Sequence, residues 1–125
     1  MSKTLFLLVK LKKDNIVEQL EAIHSVAQYP GSLSHGILVE NLQHISSHIR
    51  SAVLFHLRVH GTPKDIHIIL EVLQNDSSLR VRKNAIKALS ALGAIEAIPE
   101  IKKYLNIKYT QKTAQKALLQ LEYNK

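Results

Sequence analysis

The stretch Val81-Arg82-Lys83-Asn84-Ala85-Ile86-Lys87-Ala88-Leu89-Ser90-Ala91-Leu92-Gly93 decides how this chain folds, because it recurs. Shifted by 32 residues (81 minus 49), Ile49 falls on Val81, Arg50 on Arg82, Leu54 on Ile86 and Leu57 on Leu89. Gly61 then falls on Gly93, Ile66 on Ile98, Ile69 on Ile101 and Leu73 on Leu105. A second echo lies 29 residues further on (112 minus 83). There Lys83, Ala85, Lys87, Ala88, Leu89 and Leu92 return as Lys112, Ala114, Lys116, Ala117, Leu118 and Leu121. A unit of this size cannot bury its apolar face alone and stacks on its neighbours.

Within each unit the apolar spacing is helical. Ile16, Leu20, Ile23 and Ala27 fall one turn or two apart, as do Ile45, Ile49, Val53 and Leu57. Pro and Gly sit where turns are needed, at Tyr29-Pro30-Gly31-Ser32, His60-Gly61-Thr62-Pro63 and Leu92-Gly93. Asp14, Thr62 and Asp76-Ser77-Ser78 are placed to cap helices, and Pro99 lies where a missing amide costs little. Gly61 and Gly93 are expected in left-handed caps. The predicted helices cover roughly 3–12, 14–28, 33–44, 46–60, 63–74, 77–92, 95–105 and 109–123, with the first able to be an extended arm instead. The expected fold is all-α, a right-handed alpha-alpha superhelix of about three to four antiparallel hairpins, with 1–125 forming one domain.

The segment from Asn75 to Leu105 also resembles a HEAT-type repeat, in the short bacterial form first described in phycobilisome lyases. Its Asp76, Val81-Arg82, Ala85, Ala88-Leu89 and Gly93 follow that pattern, and an apolar second helix ends at Leu105. The unit at 46–74 follows it with His44 in the Asp position, and the last unit has Thr110-Gln111 for Val-Arg. The resemblance implies a structural ladder of Asp–Arg bonds across neighbouring repeats, with Asp76 and Arg82 as members, Arg50 matching on the Arg side only, and His44 and Gln111 breaking it at the ends. It also implies that second helices line a concave side. Here that side presents Lys64, His67, Glu71, Gln74, Glu96, Glu100, Lys102 and Lys103.

Charge is uneven along the chain. Of the net +7, residues 1–75 contribute seven Lys/Arg against six Asp/Glu, and residues 76–125 contribute ten against four. Arg80, Lys83, Lys87, Lys108, Lys112 and Lys116 form a candidate basic stripe for phosphates or an acidic protein. Aromatics make up 5% of the chain and Trp is absent, which argues against a stacking platform for single strands.

Chemistry has little to work with. Without cysteine there is no disulfide, thiolate ligand or cysteine nucleophile. No phosphate-binding glycine loop, nucleophile elbow or paired-carboxylate motif occurs; Glu96 and Glu100, beside Lys102 and Lys103, read as a solvated face. His44 and His48, and His56 and His60, are spaced to share a metal, yet no third ligand accompanies them. The register sets His56 and His60 on Ala88 and Leu92, so packing is the expected role and no metal or other cofactor is assigned. The apolar run Leu5 to Val9 is too short for a signal peptide or membrane span. The expectation is a soluble, cytoplasmic, non-catalytic scaffold or adaptor that binds another protein. Nucleic-acid binding through the stripe is the alternative, followed by a non-catalytic subunit of a lyase or other enzyme complex. The final helix, apolar at Ala114, Leu118 and Leu121 and again at Leu119, is a candidate for self-association.

Overall fold

A computed structural model describes residues 8–12 and 15–123. Helices joined by short connections account for them, and no strand occurs among the described residues. The principal helices are α1 (Ile16–Ala27), α2 (Ser32–Glu40), α3 (Ser47–His60), α4 (Ile66–Asn75), α5 (Leu79–Ala91), α6 (Ile98–Lys102) and α7 (Gln111–Tyr123). Residues 8–11 are also helical, while the rest of the expected first helix lies outside the described residues apart from Lys12. None of the helices among the described residues is long and apolar enough to cross a membrane.

Local chemistry sets the boundaries. Asp14, expected as the first cap, lies outside the described residues, and the cap of α1 is Asn15. Its Oδ1 accepts the Val17 and Glu18 amides at 3.0 and 3.1 Å, which satisfies two of the donors that every helix start exposes. Ser78 caps α5, accepting the Val81 amide at 3.3 Å. A 3-10 turn, Pro63–Asp65, leads into α4, and the Thr62 amide donates to the buried Asp65 carboxylate at 3.0 Å. The second helix expected over 95–105 is instead three short pieces. A 3-10 turn (Ile95–Ala97) precedes α6 and another (Lys103–Asn106) follows it, with Pro99 in the first turn of α6.

The two repeat glycines differ. Gly93 has φ +73°, the left-handed cap expected after α5. Gly61 is not left-handed, which corrects the sequence expectation. A Cβ at Gly61 would lie 2.3 Å from the Leu57 carbonyl oxygen, so glycine is needed there for close approach.

The chain divides into two compact units, Met1–His56 and Leu57–Lys125. In the first, α1 packs against α2, and Ala22, Ile23, Val26, Ile37 and Leu38 are buried. In the second, α5 packs against both α4 and α7, and α6 packs against α7. Ile69, Leu73, Ile86, Leu89, Ile101 and Leu121 are fully enclosed. Each such side chain contributes about 1.5–3 kcal/mol by leaving water. These are the positions that the repeat register marks as apolar.

Candidate functional site

The repeat carries a clamp at the start of its first helix. From within α5, Arg82 donates through Nε to the Asp76 carbonyl, six residues back, and its Nη1 approaches the Tyr104 hydroxyl at 3.4 Å. Tyr104 is buried and donates its own hydroxyl to the Leu73 carbonyl at 2.8 Å, so one phenol bridges the end of α4 and the start of α5. From within α3, Arg50 donates to the carbonyls of His44, again six residues back, at 2.8 Å and of Ile45 at 3.0 Å. Both arginines thus grip a main-chain oxygen.

His44 also reproduces a side-chain role. The Ser78 amide donates to Asp76 Oδ1 at 2.9 Å, and the Ser46 amide donates to His44 Nδ1 at 2.9 Å. An imidazole nitrogen without a proton thereby stands in for a carboxylate oxygen. Burial, then the Arg50 guanidinium, holds the His44 pKa below its ordinary 6.5, which favours the form that can accept. In the last unit the Thr110 hydroxyl sits near two carbonyls, Tyr104 at 2.9 Å and Ile107 at 3.3 Å.

One of the four histidines spaced for a metal meets a fifth from another helix. His56 Nε2 meets His24 Nδ1 at 2.7 Å, with the rings edge to face. His56 is buried, as the register requires, whereas His60 is exposed. His24 was not singled out in the sequence, yet it lies one 32-residue shift before His56. Among the described residues no group of three or more His, Asp or Glu is placed to hold a metal.

The basic stripe resolves into parts with different environments. Lys83 lies over the Tyr109 ring, 4.7 Å from its centroid. Lys108 and Lys112 are exposed, and Arg80 is half-buried. Lys87 and Lys116 instead share a groove of about 330 Å³ between α5 and α7, with Arg58 from the end of α3 and the polar residues Ser90, Thr113 and Gln120. Arg58 was not part of the expected stripe. Burial, followed by repulsion from Lys83, Arg58 and Lys116, pushes the Lys87 pKa below its ordinary 10.5. In the same groove the Ser90 hydroxyl donates to Gln120 Oε1 at 3.0 Å.

The second helices carry a different surface. Lys64, His67, Glu71, Gln74, Glu96, Lys102 and Lys103 are exposed and Glu100 is half-buried. Lys103 pairs with Glu100 at 2.9 Å, and Lys102 lies 3.8 Å from Glu122 of α7. On α7, Ala114, Ala117, Leu118 and Leu121 are buried while Leu119 is 75% exposed, so the helix is apolar on two sides.

Short helices paired as hairpins in a fixed register, two of the first helices tied by an arginine to the loop that precedes them, define an α-helical repeat protein. The family model for HEAT repeats matches residues 37–122, more than half of the chain, and the chain belongs to that family. HEAT repeats generally act as scaffolds for protein interaction and are typically non-catalytic. No curated protein matches the chain.

Proposed function

We propose that the protein is a non-catalytic adaptor, a single repeat domain that binds another protein through the second-helix residues Lys64, His67, Glu71, Gln74, Glu96, Glu100, Lys102 and Lys103. The observation that carries this reading is the polarity of that surface. Apolar residues of α4 and α6 such as Ile69, Leu73 and Ile101 are buried, and the exposed polar side chains of these second helices carry both signs of charge. Mixed charge favours specific register with a protein over attraction to a uniform phosphate backbone. Pull-down from host lysate tests it, with and without nuclease and at two salt concentrations. A discrete protein should survive both treatments and be lost when Lys64→Glu and Glu71→Lys are combined in a folded variant. Retention of that protein by the double variant would assign its binding to another surface.

A second reading, nucleic-acid binding along Arg80, Lys83, Lys87, Lys108, Lys112 and Lys116, rests on the +6 carried by residues 76–125. It requires steep loss of binding with salt. The engagement of Lys83 by Tyr109 and the turning of Lys87 and Lys116 into a groove make the six a poorer linear track than the sequence implied.

A further inference from the structure

The groove between α5 and α7 is built differently from the rest of the charged surface. Three cations from three helices, Arg58, Lys87 and Lys116, line it, and none of its lining residues is acidic. Ser90 and Gln120 are already bonded to each other through the Gln120 carbonyl oxygen, which leaves the Gln120 amide nitrogen as a neutral donor. Thr113 adds a hydroxyl.

Cations that serve only for solubility are best kept apart and interspersed with acids. Here they are gathered until one is partly buried and lies within range of the other two. That arrangement costs stability until an anion fills it. We propose that this groove binds a phosphate monoester in its dianionic form. A monoester presents three terminal oxygens and close to two charges at one point, which three convergent cations and an amide donor can meet together. A nucleic-acid backbone spreads single charges along a track and is met by cations strung out beside it. A volume of about 330 Å³ admits a phosphorylated side chain or a small phosphate ester and is too confined for a duplex. The site lies on the first-helix layer, so it stands whether or not the second-helix surface binds a protein.

The test is titration of the whole protein, at low salt and pH 7.5, with a phosphoserine peptide, the same peptide without phosphate, glycerol phosphate and a duplex oligonucleotide. Phosphoserine peptide should bind at least tenfold more tightly than its unphosphorylated form. Glycerol phosphate binding equally well identifies free phosphate esters as a sufficient source; a large preference for the peptide identifies a phosphorylated protein. Affinity should fall several-fold at pH 5.5, because the second phosphate ionisation lies near pH 6. Combining Lys87→Gln with Lys116→Gln should lower affinity at least tenfold with unchanged helical circular dichroism, whereas Lys12→Gln should leave it within twofold. The proposal is overturned if neither monoester binds at millimolar concentration, if the duplex binds and the monoesters do not, or if the double variant binds as the wild type does.

Discussion

Residues 44–61 and 76–93 hold the same positions in two successive repeats and reach the same geometry with different side chains. Arg50 and Arg82 each hold the carbonyl six residues back, and His44 Nδ1 and Asp76 Oδ1 each accept an amide two residues on at 2.9 Å. Gly61 and Gly93 each end a helix, one for want of room and the other for its backbone angle. What the repeat preserves is therefore a set of main-chain bonds. A side chain can be exchanged wherever the replacement presents the same acceptor, which is how histidine replaces aspartate without loss of the turn.

The glycines give the largest expected effect. Gly61→Ala must move the backbone away from a 2.3 Å contact with the Leu57 oxygen and should cost about 3 kcal/mol. Gly93→Ala meets no atom within 4 Å and should cost only about 1 kcal/mol, for its positive φ. Gly93→Asn should cost less still, since asparagine tolerates that conformation. Denaturant unfolding of the three variants measures this, and equal costs for the two alanines would erase the distinction drawn between the glycines.

Next comes Tyr104, whose register position in the preceding repeat is Val72, a residue without a hydroxyl (104 minus 32). Tyr104→Phe leaves the Leu73 carbonyl without its buried donor and removes a partner of Arg82, at about 2 kcal/mol. If the tyrosine is what distinguishes the two clamps, Arg82→Ala should then cost less in the Tyr104→Phe background than alone. A double-mutant cycle reads that coupling directly, and strict additivity would separate the phenol from the clamp.

Much of this architecture was legible in the letters. The 32-residue register located the hairpins, the buried apolar positions and the burial of His56, because helical stacking forces equivalent residues into equivalent surroundings. The conformation of Gly61 was not legible, since a glycine reads the same whether it supplies an angle or a gap. Nor was the fragmentation of the helix around Pro99, where apolar spacing survives a change from α to 3-10 winding. The candidate site was half legible. Lys87 and Lys116 stood in register, but Arg58 occupies the first helix of the preceding repeat at a position where charge gave no signal of its own. His24 could have been found by carrying the register one step further toward the N-terminus.

The titratable member of the pair of loops supplies a smaller effect with a definite sign. The folded pKa of His44 is below 6.5, so the unfolded chain binds the proton more readily. Its contribution is fully present above 6.5 and is lost as pH falls from there through the folded value. Protonation of Nδ1 also ends its acceptance of the Ser46 amide. His44→Asp restores the acceptor found in the next repeat, and its carboxylate stays ionised from pH 7.5 to 5.5. The variant should therefore lose less stability than the wild type over that interval, by about 0.5–1 kcal/mol. Parallel slopes for the two proteins would mean that His44 titrates alike in the folded and unfolded chains.

The smallest effect compares two lysines one turn apart on α5. Lys83 lies on an aromatic face, and Lys87 lies among cations. Lys83→Gln should lower stability by about 0.5 kcal/mol through loss of the cation–π contact. Lys87→Gln removes repulsion from Arg58, Lys83 and Lys116 and should raise stability by a few tenths of a kcal/mol at low salt. Screening sets the control. At about 1 M salt the Debye length falls to about 3 Å, and the gain at Lys87 should largely vanish. Opposite signs from the same substitution on one helix would show that the two lysines, identical in the repeat's charge pattern, face opposite electrostatic surroundings. A stabilised Lys87→Gln protein that has also lost phosphate-ester binding would mean that the groove keeps its charge at the expense of the fold.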